Sequence, residues 1–344
     1  MSERRYYTRS LRACLSALIC SLSLLACSSF FASTKWEKLS EGTHPHIVPF
    51  LSLFFFDSYN GVAATSTSLE RTADGGKTWT PLIADDLEQS FQALAFTTPT
   101  TGFVVGLQKK NNDYAPMILR TEDGGRNWQE SLVNVRPRTT GIKPLLQSVS
   151  FCNQEIGWAA GSDLILHTGD GGQTWETQQL RSDGGLFGIV CLTPKQAVAV
   201  GQEGLILLTQ DGGKTWSRQT SGTADHLLRV RFFGNEAWIL GGMAGKSALL
   251  RSHDGGVTWQ PLSIQAGQTL FDIYINESQG WIVGAKGTIL HSNDAGQTWK
   301  LQESPTVNDL AYLFFLSPHE GWAAGDKRTL LHYRDAESAK PLTP

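Results

Sequence analysis

The octapeptide Thr209-Gln210-Asp211-Gly212-Gly213-Lys214-Thr215-Trp216 decides the fold of this 344-residue chain, because close copies of it recur along the sequence. Six copies place their aspartates 40 to 49 residues apart, and His332 to Ala336 is a degenerate seventh copy. Such repeats are typical of arrays in which each unit buries its apolar face against its neighbours. The aspartates and tryptophans of the six copies are Asp74 and Trp79, Asp123 and Trp128, Asp170 and Trp175, Asp211 and Trp216, Asp254 and Trp259, and Asp294 and Trp299.

A second motif, Gly-Trp or a close variant followed by a short apolar run and a glycine, precedes most of the octapeptides. In the sixth unit the two motifs delimit four short strands, at Phe271 to Ile275, Gly280 to Gly284, Thr288 to His291 and Thr298 to Gln302. Four-stranded units at this spacing predict an all-β, seven-bladed β-propeller over residues 34–335, since radial packing hides the sheet edges. The octapeptide is then the turn between the third and fourth strands, with its tryptophan returning to the core.

The last unit is incomplete, because the chain after Asp335 has no Thr-Trp and no fourth strand. The N-terminal segment Thr34-Lys35-Trp36-Glu37-Lys38-Leu39 matches the pattern of Lys77 to Leu82, which follows an octapeptide aspartate. We therefore predict that this segment is the outer strand of the seventh blade and closes the ring. Residues 336–344 are then a C-terminal tail.

The first 26 residues have the features of an export signal. Arg4, Arg5, Arg9 and Arg12 precede an apolar stretch that is too short to span a bilayer. The stretch ends in Leu24-Leu25-Ala26-Cys27, which resembles the lipobox of bacterial lipoproteins and predicts lipidation of Cys27, with residues 27–33 as a linker. The alternative is an ordinary secretory peptide cleaved near Ala32. Either way, we expect a periplasmic protein, or a thylakoid-lumenal one if the organism is photosynthetic, and the lipoprotein interpretation leaves the outer membrane possible.

Composition excludes some classes of partner and cofactor. A net charge of −3 with 18% charged residues argues against nucleic-acid binding, and 40% hydrophobic residues are ample for a packed core. No cofactor or metal is predicted, because the cysteines lack metal-type spacing and the close pair His44 and His46 is typical of a surface loop. Cys152 and Cys191 lie in apolar, strand-like runs, which favours buried free thiols over a disulfide, although an oxidising compartment permits the disulfide.

The octapeptide is the Asp-box of bacterial neuraminidase repeats, and the region from about residue 36 to 335 resembles the photosystem II stability/assembly factor family. Asp272-Ile273-Tyr274, Gly280-Trp281-Ile282-Val283-Gly284 and Ser292 to Trp299 follow that family's repeat pattern with small departures. The resemblance implies a non-catalytic, monomeric seven-bladed propeller that binds a protein client from a membrane complex.

Two classes of function compete at this point. An Asp-box glycoside hydrolase of the sialidase type would need two acids that converge across a cleft, and the sialidase motif Phe/Tyr-Arg-Ile-Pro is absent. The repeat aspartates belong to their turns, so Asp272 is the one inner-strand acid of interest. A binding scaffold needs no such pair, and the sequence therefore favours a protein without catalytic residues.

Two groups of basic residues are candidate binding sites. The two longest insertions flank the second blade on the face opposite the Asp-boxes, and we expect their charges to bind an acidic client surface. These charges are Lys109, Lys110, Arg136, Arg138 and Lys143. The second group, just before the octapeptides, could form an anion-binding ring, although stacking on the box tryptophans is the favoured interpretation. It comprises Arg71, Arg120, His167, Arg251, His291 and His332.

Overall fold

The computed structural model describes residues 36–42, 48–83, 88–111, 113–134, 143–178, 184–243 and 245–335. In these residues the strands form seven sheets, as an all-β, seven-bladed propeller requires, so the predicted fold class is confirmed. The predicted signal peptide, linker and tail, together with Cys27, lie outside the described residues. No helix in the described part of the chain is long and apolar enough to cross a membrane.

The strands are numbered in chain order, beginning with β1 (Trp36–Ser40), and each blade is described from its innermost strand outwards. Blade 1 consists of β2 (Phe50–Phe55), β3 (Gly61–Thr65), β4 (Leu69–Thr72) and β5 (Thr80–Ile83). Blade 2 consists of β6 (Gln89–Phe96), β7 (Gly102–Lys110), β8 (Asp113–Thr121) and β9 (Gln129–Glu130). Blade 3 consists of β11 (Ser148–Phe151), β12 (Gly157–Gly161), β13 (Leu164–Thr168) and β14 (Thr174–Thr177), with β10 (Leu132–Asn134) at its outer edge.

The remaining blades follow the same order. Blade 4 consists of β15 (Leu186–Thr193), β16 (Gln196–Gly201), β17 (Ile206–Thr209) and β18 (Ser217–Gln219). Blade 5 consists of β19 (Leu227–Phe233), β20 (Glu236–Gly241), β21 (Ala248–Ser252) and β22 (Gln260–Pro261). Blade 6 consists of β23 (Leu270–Ile275), β24 (Gly280–Gly284), β25 (Ile289–Ser292) and β26 (Lys300–Gln302). Blade 7 consists of β27 (Leu310–Ser317), β28 (Glu320–Gly325), β29 (Leu330–Arg334) and β1. Short 3-10 turns, Gln202–Gly204, Ala285–Gly287 and Asp326–Arg328, join the second and third strands of blades 4, 6 and 7.

The seventh blade is closed by the N-terminal strand, as predicted. β1 pairs antiparallel with β29, with Trp36 opposite Tyr333 and Lys38 opposite Leu331. Trp36 is 2% exposed and packs in one apolar cluster with Leu331. Beyond the strand, Gly42 donates its backbone N–H to the carbonyl of Lys327 at 2.6 Å. The outer strand of the last blade therefore comes from the opposite end of the described chain.

The insertions around the second blade are more regular than the sequence indicates. Residues 107–117 do not form a loop but extend the β7–β8 hairpin as far as the pair Lys110 and Asp113. In the second insertion, β10 pairs parallel with β14, so blade 3 has five strands where four were predicted. Ser131 donates its hydroxyl to the carbonyl of Gly172 at 2.7 Å, which ties the start of this segment to blade 3. Free backbone groups on an outer strand accept such pairing readily.

The core lies between blades rather than at one centre. Seven apolar clusters of the described residues each contain side chains from two neighbouring blades, including the pair of blades 7 and 1. The tryptophans of the Gly-Trp motif are completely buried there. By contrast, only Trp175 and Trp259 of the six box tryptophans are buried, because the others lie at the outer rim of the cluster they join. The expected return of the box tryptophan to the core is therefore partial in most blades.

Each Asp-box is a self-contained hydrogen-bonded turn. In blade 4, Thr209 donates its hydroxyl to Asp211 at 2.9 Å, and Thr215 donates its backbone N–H and its hydroxyl to the same carboxylate at 3.0 and 2.6 Å. Gly213, in the left-handed region at φ 83°, donates its N–H to the Thr209 hydroxyl. Glycine reaches this conformation without strain. The carboxylate is thus fully occupied by its own turn.

These hydrogen bonds stabilise the charged form of the aspartates. The side-chain hydroxyl, and then the backbone N–H, of the threonine four residues later lower the pKa of Asp74, Asp211 and Asp294 to about 2. A folded-state pKa below the unfolded value of about 3.9 means that the contribution to stability is present above pH 4 and is lost as the pH falls towards 2.

The cysteine prediction is wrong. Cys152, which follows β11, and Cys191 in β15 form a disulfide with their Cα atoms 5.1 Å apart. Both residues lie at the same end of the innermost strands of adjacent blades. The interpretation as free thiols considered each strand alone, and linear sequence does not show which inner strands are neighbours. The bond joins blade 3 to blade 4.

The first prediction tests closure of the ring. Deleting residues 34–39 should lower the unfolding midpoint of the whole ring, because it exposes both β29 and the cluster beneath it. Trp36→Ala should lower the free energy of unfolding by about 3–5 kcal/mol, measured by urea titration. The control is the neighbouring exposed Glu37→Ala, which should change it by less than about 0.5 kcal/mol. Equal stabilities of Trp36→Ala and wild type would contradict the role of β1.

The second prediction concerns acid. Between pH 4 and pH 2 the wild type should lose stability, because protonation removes the charge that the box hydrogen bonds stabilise. A triple variant with Asp74, Asp211 and Asp294 changed to Asn should be less stable at pH 7 and should lose less stability on acidification. A triple variant of the exposed residues Glu155, Glu277 and Glu303 to Gln is the control and should keep the wild-type slope. Parallel pH profiles for the wild type and the aspartate variant would show that the boxes do not carry the effect.

Candidate functional site

A central cavity of about 730 Å³ is lined by the innermost strands of all seven blades. One residue from each strand illustrates the lining, namely Ser52, Leu94, Ser148, Ile189, Arg231, Ile273 and Tyr312. The Asp-box turns mark one end of this channel, because those of blades 1, 2, 3, 4 and 6 bond to the loop between the first two strands of their blade. Gly75, for example, donates its N–H to the carbonyl of Tyr59 at 2.8 Å. We call this end the box face.

Asp272, the inner-strand acid singled out in the sequence, has a structural role. It is completely buried, and Arg231 donates to both carboxylate oxygens at 3.1 and 2.9 Å. The Oδ2 atom of Asp272 also accepts the backbone N–H of Leu313 in the next blade at 3.1 Å. Burial alone would raise the pKa of Asp272, but the charges of Arg231 and Arg229 outweigh it and hold the pKa below its usual value. The carboxylate therefore joins three blades, and structural hydrogen bonds occupy both of its oxygens, so neither is placed to transfer a proton to a substrate.

The same position joins other blades. Ser52 in blade 1 accepts the N–H of Leu94 in blade 2 at 3.2 Å. Ser148 in blade 3 accepts the N–H of Ile189 in blade 4 at the same distance. A side-chain oxygen at this place on the inner strand thus satisfies a buried backbone donor of the following blade. These contacts hold the channel wall in one arrangement.

The channel wall carries positive charge. The described residues that line the cavity include two charged side chains, Arg229 and Arg231, and no carboxylate. Both guanidinium groups lie over the ring of Tyr312, 5.4 and 5.5 Å from its centroid. Because Asp272 behind them compensates only one charge, the lining has an excess of one positive charge.

At the box face the channel ends in an aromatic cluster that the sequence interpretation missed. Phe54 lies 4.8 Å from Phe96, 5.0 Å from Phe314 and 5.2 Å from Phe56, measured between ring centroids. All four rings are half-buried. The run Phe54-Phe55-Phe56 was the available signal, but consecutive phenylalanines in an inner strand look like core residues until the face of each is known.

The three described lysines of the predicted basic patch lie together, and two of them are paired with glutamates. Lys109 and Lys110 lie at the tip of the β7–β8 hairpin, where Lys109 pairs with Glu88 at 3.6 Å and Lys110 pairs with Glu130. Lys143 from the second insertion lies over the ring of Tyr114 in the same hairpin, 3.8 Å from its centroid. The structure therefore brings these three lysines to one edge of blade 2. Arg136 and Arg138 lie outside the described residues.

Four of the six residues that precede the octapeptides pack against tryptophan rings. His167, His291 and His332 lie against the Gly-Trp tryptophans of their own blades, with centroids 4.2 to 4.8 Å apart. Arg251 covers Trp238 in the same way. Arg120 donates its Nε to the carbonyl of Gly171 in the next blade at 2.9 Å, and Arg71 faces Val62 on β3. The stacking partners are thus the Gly-Trp tryptophans, not the box tryptophans.

Within the described part of the chain, no group of three or more histidine, cysteine and acidic side chains could hold a metal ion. His44 and His46 lie outside the described residues. The geometry offers a rigid cationic channel, an aromatic cluster at its box face, and a lysine-bearing edge on blade 2. All three features suit binding, and none brings together a nucleophile and a base.

Comparison with known proteins identifies the family. A family model described as Photosynthesis system II assembly factor YCF48 matches residues 82–197, 174–266 and 257–340. The Photosystem II assembly lipoprotein Ycf48 of Synechococcus sp. (strain CC9902) is 38% identical over 98 residues, which are 28% of this chain and 26% of that protein. The Photosystem II assembly protein Ycf48 of Thermosynechococcus vestitus is 26% identical over 272 residues, 77% of this chain and 74% of its own length.

The fold has solved counterparts. A structure described as YCF48 bound to D1 peptide superposes with a TM-score of 0.66 and 22% identity, covering 89% of this chain and 98% of that one. The match to the first relative spans about a quarter of that relative's length, so it is the family model that decides the assignment. Because the three model matches together span residues 82–340, three quarters of the sequence, the chain belongs to the Photosynthesis system II assembly factor YCF48 family.

Proposed function

We propose that this protein is a non-catalytic, monomeric assembly factor that binds a segment of a photosystem II subunit. The observation that carries the proposal is the family match over residues 82–340. A relative of the same fold has been solved with a D1 peptide, which makes D1 the first client to test. The rigid ring supports this role, since a scaffold with fixed walls binds a flexible segment at a lower entropic cost.

A glycoside hydrolase is the alternative, and the geometry disfavours it. Hydrolysis by paired carboxylates needs two acids on opposite sides of the substrate, about 5 to 9.5 Å apart. The described lining of the channel has no carboxylate, and Asp272 is buried behind Arg231. The box aspartates bind their own turns on the box face.

We further propose that a lipid on Cys27 holds the ring at the lumenal or periplasmic surface of a membrane. Leu24-Leu25-Ala26-Cys27 supports the anchor, and a relative that is named a lipoprotein is consistent with it. An anchored ring would stay beside the membrane in which its client is assembled. One acyl chain gives only marginal binding, so stable anchoring needs the multiple chains of a lipoprotein.

The lysine-bearing edge of blade 2 is proposed as a second contact with the client, at an acidic surface. Lys109, Lys110 and Lys143 lie at this edge, and Arg136 and Arg138 follow β10 in sequence. Exposed pairs such as Lys109 with Glu88 contribute little to stability, about 0–1 kcal/mol. An acidic client could therefore replace these partners at small cost.

The third prediction tests the client and this edge together. Fluorescent peptides that tile the D1 sequence are titrated against the mature chain, and at least one segment should bind. Changing Lys109, Lys110, Arg136 and Arg138 to Glu should weaken binding of membrane-inserted D1 and reduce its dependence on salt, while the melting temperature stays nearly constant. Full affinity in this quadruple variant would remove the edge from the proposal, and a lack of binding by every D1 segment would remove D1.

A matched control uses the same face of the ring. Lys246, Lys286 and Lys327 are exposed and lie in the loops between the second and third strands of blades 5, 6 and 7. Changing these three lysines to Glu alters the net charge similarly but leaves blade 2 intact. The control should therefore keep the wild-type affinity. An equal loss in both variants would indicate that net charge, rather than the edge, governs binding.

The fourth prediction concerns the anchor. Cys27→Ser should leave unprocessed precursor or a soluble product, because acylation requires the thiol. Growth with an alkyne-labelled fatty acid and detection on a gel measures it, with Cys20→Ser as the control that should still be labelled. Wild-type protein without label would end the lipoprotein proposal in favour of ordinary secretion.

A further inference from the structure

A cavity of about 310 Å³ lies at the box face and shares Phe54, Phe96 and Phe314 with the central channel. Phe56 and Leu316 complete its apolar wall. We call these five residues the aromatic mouth. The four rings are half-buried, and Leu316 is 38% exposed, so the site is open to a ligand. No charged side chain of the described residues lines it.

The four phenylalanines of the aromatic mouth only border the core: they are half-buried and pack on the edges of the clusters between blades 1 and 2 and between blades 7 and 1. In β2 and β27 the alternate residues make the closer stacking contacts, since Phe55 stacks on Trp322 at 3.8 Å and Phe315 stacks on Tyr274 at 4.1 Å. Phe54 pairs with Val62 and Phe314 pairs with Trp322, and the residue at the same register position is Ser150 in blade 3 and Arg231 in blade 5. The repeat therefore tolerates a polar side chain there, and the aromatic rings of blades 1 and 7 are an addition to the scaffold.

The surroundings define what can occupy the mouth. An uncharged apolar wall of this volume accepts one bulky side chain such as Phe, Leu or Ile. Deeper in the same channel, Arg229 and Arg231 exceed the single compensating charge of Asp272. The nearby Asp57 carboxylate is occupied by the N–H groups of Tyr59 and Asn60 in its own loop. Charge complementarity thus favours an acidic group beside the apolar side chain and disfavours a basic one.

From this geometry we propose that the aromatic mouth captures a bulky apolar side chain of an extended client segment, whose neighbouring acidic residue enters the channel towards Arg229 and Arg231. This proposal specifies which residues of the client are recognised, and it therefore rests on the proposed function. Large apolar side chains buried in a pocket commonly dominate the binding energy of an interface. The lysine-bearing edge, on the opposite face, is a separate contact.

The test uses a phage-displayed library of random dodecapeptides selected on the mature protein, so that it does not depend on D1. Selected sequences should pair Phe, Leu or Ile with a nearby Asp or Glu. A synthetic peptide from the selection should lose about tenfold or more of its affinity for Leu316→Glu and for Phe56→Ser. The matched control is Leu301→Glu, since Leu301 on the outer strand β26 is 64% exposed and remote from the channel. The Leu301→Glu variant should bind the peptide as the wild type does. Replacing the acidic residue of the peptide by Lys should abolish binding to the wild type.

Three results would overturn the inference. The first is a selection that yields no binders, and the second is selected peptides that bind Leu316→Glu as tightly as the wild type. The third is a wild-type dimer that the Leu316→Glu substitution dissociates, because a second copy of the chain would then occupy the mouth. The same measurements test the proposed function independently of the mouth. D1 segments that bind wild type and Leu316→Glu equally would preserve the client and reject the mouth. Library peptides that need the mouth while no D1 segment binds would preserve the mouth and reject D1.

Discussion

The pairing of β1 with β29 is the interaction on which the rest of the structure depends. None of the seven blades has a core of its own, because every apolar cluster of the described residues is shared by two neighbours. A ring of this kind is stable only when its last interface is complete. Trp36 contributes both a strand partner for Tyr333 and an apolar side chain for the cluster of blades 6 and 7. Closure therefore converts seven marginal sheets into one cooperative unit.

The walls of the channel follow from the same constraint. Radial sheets leave the inner strands facing one another, and their backbone donors need acceptors from the next blade. Ser52, Ser148 and Asp272 supply these acceptors, and the Cys152–Cys191 disulfide adds a covalent link between blades 3 and 4, which Ser148 also joins. Polar groups of the kind that catalysis uses therefore hold blades together here. What remains for function is a charged lining from Arg229 and Arg231 and an aromatic end, and both are suited to holding a segment of another protein.

The sequence predicted the parts of the fold that repeat. The six octapeptides, their spacing and the degenerate seventh copy at His332 to Ala336 were sufficient for the number of blades. The match between Trp36 and Trp79 was sufficient for closure, because each prediction depends on a local pattern. Features that depend on neighbours in space were missed. Cys152 and Cys191 lie 39 residues apart in sequence but on adjacent inner strands. The fifth strand of blade 3 arises from a segment that sequence assigns to blade 2. The aromatic mouth combines residues from three blades, and its phenylalanines resemble core residues until alternate faces of β2 and β27 are distinguished.

The central claim is that a closed, rigid ring binds a client segment at the box face without rearranging. Amide hydrogen exchange of the mature protein, measured by mass spectrometry with and without a bound D1 segment, tests it most directly. Binding should slow exchange at the ends of β2, β6 and β27 and in the loops that follow them, and should leave exchange in the outer strands of blades 4 and 5 unchanged. Protection spread evenly over all blades, or confined to blades 4 and 5, would contradict it.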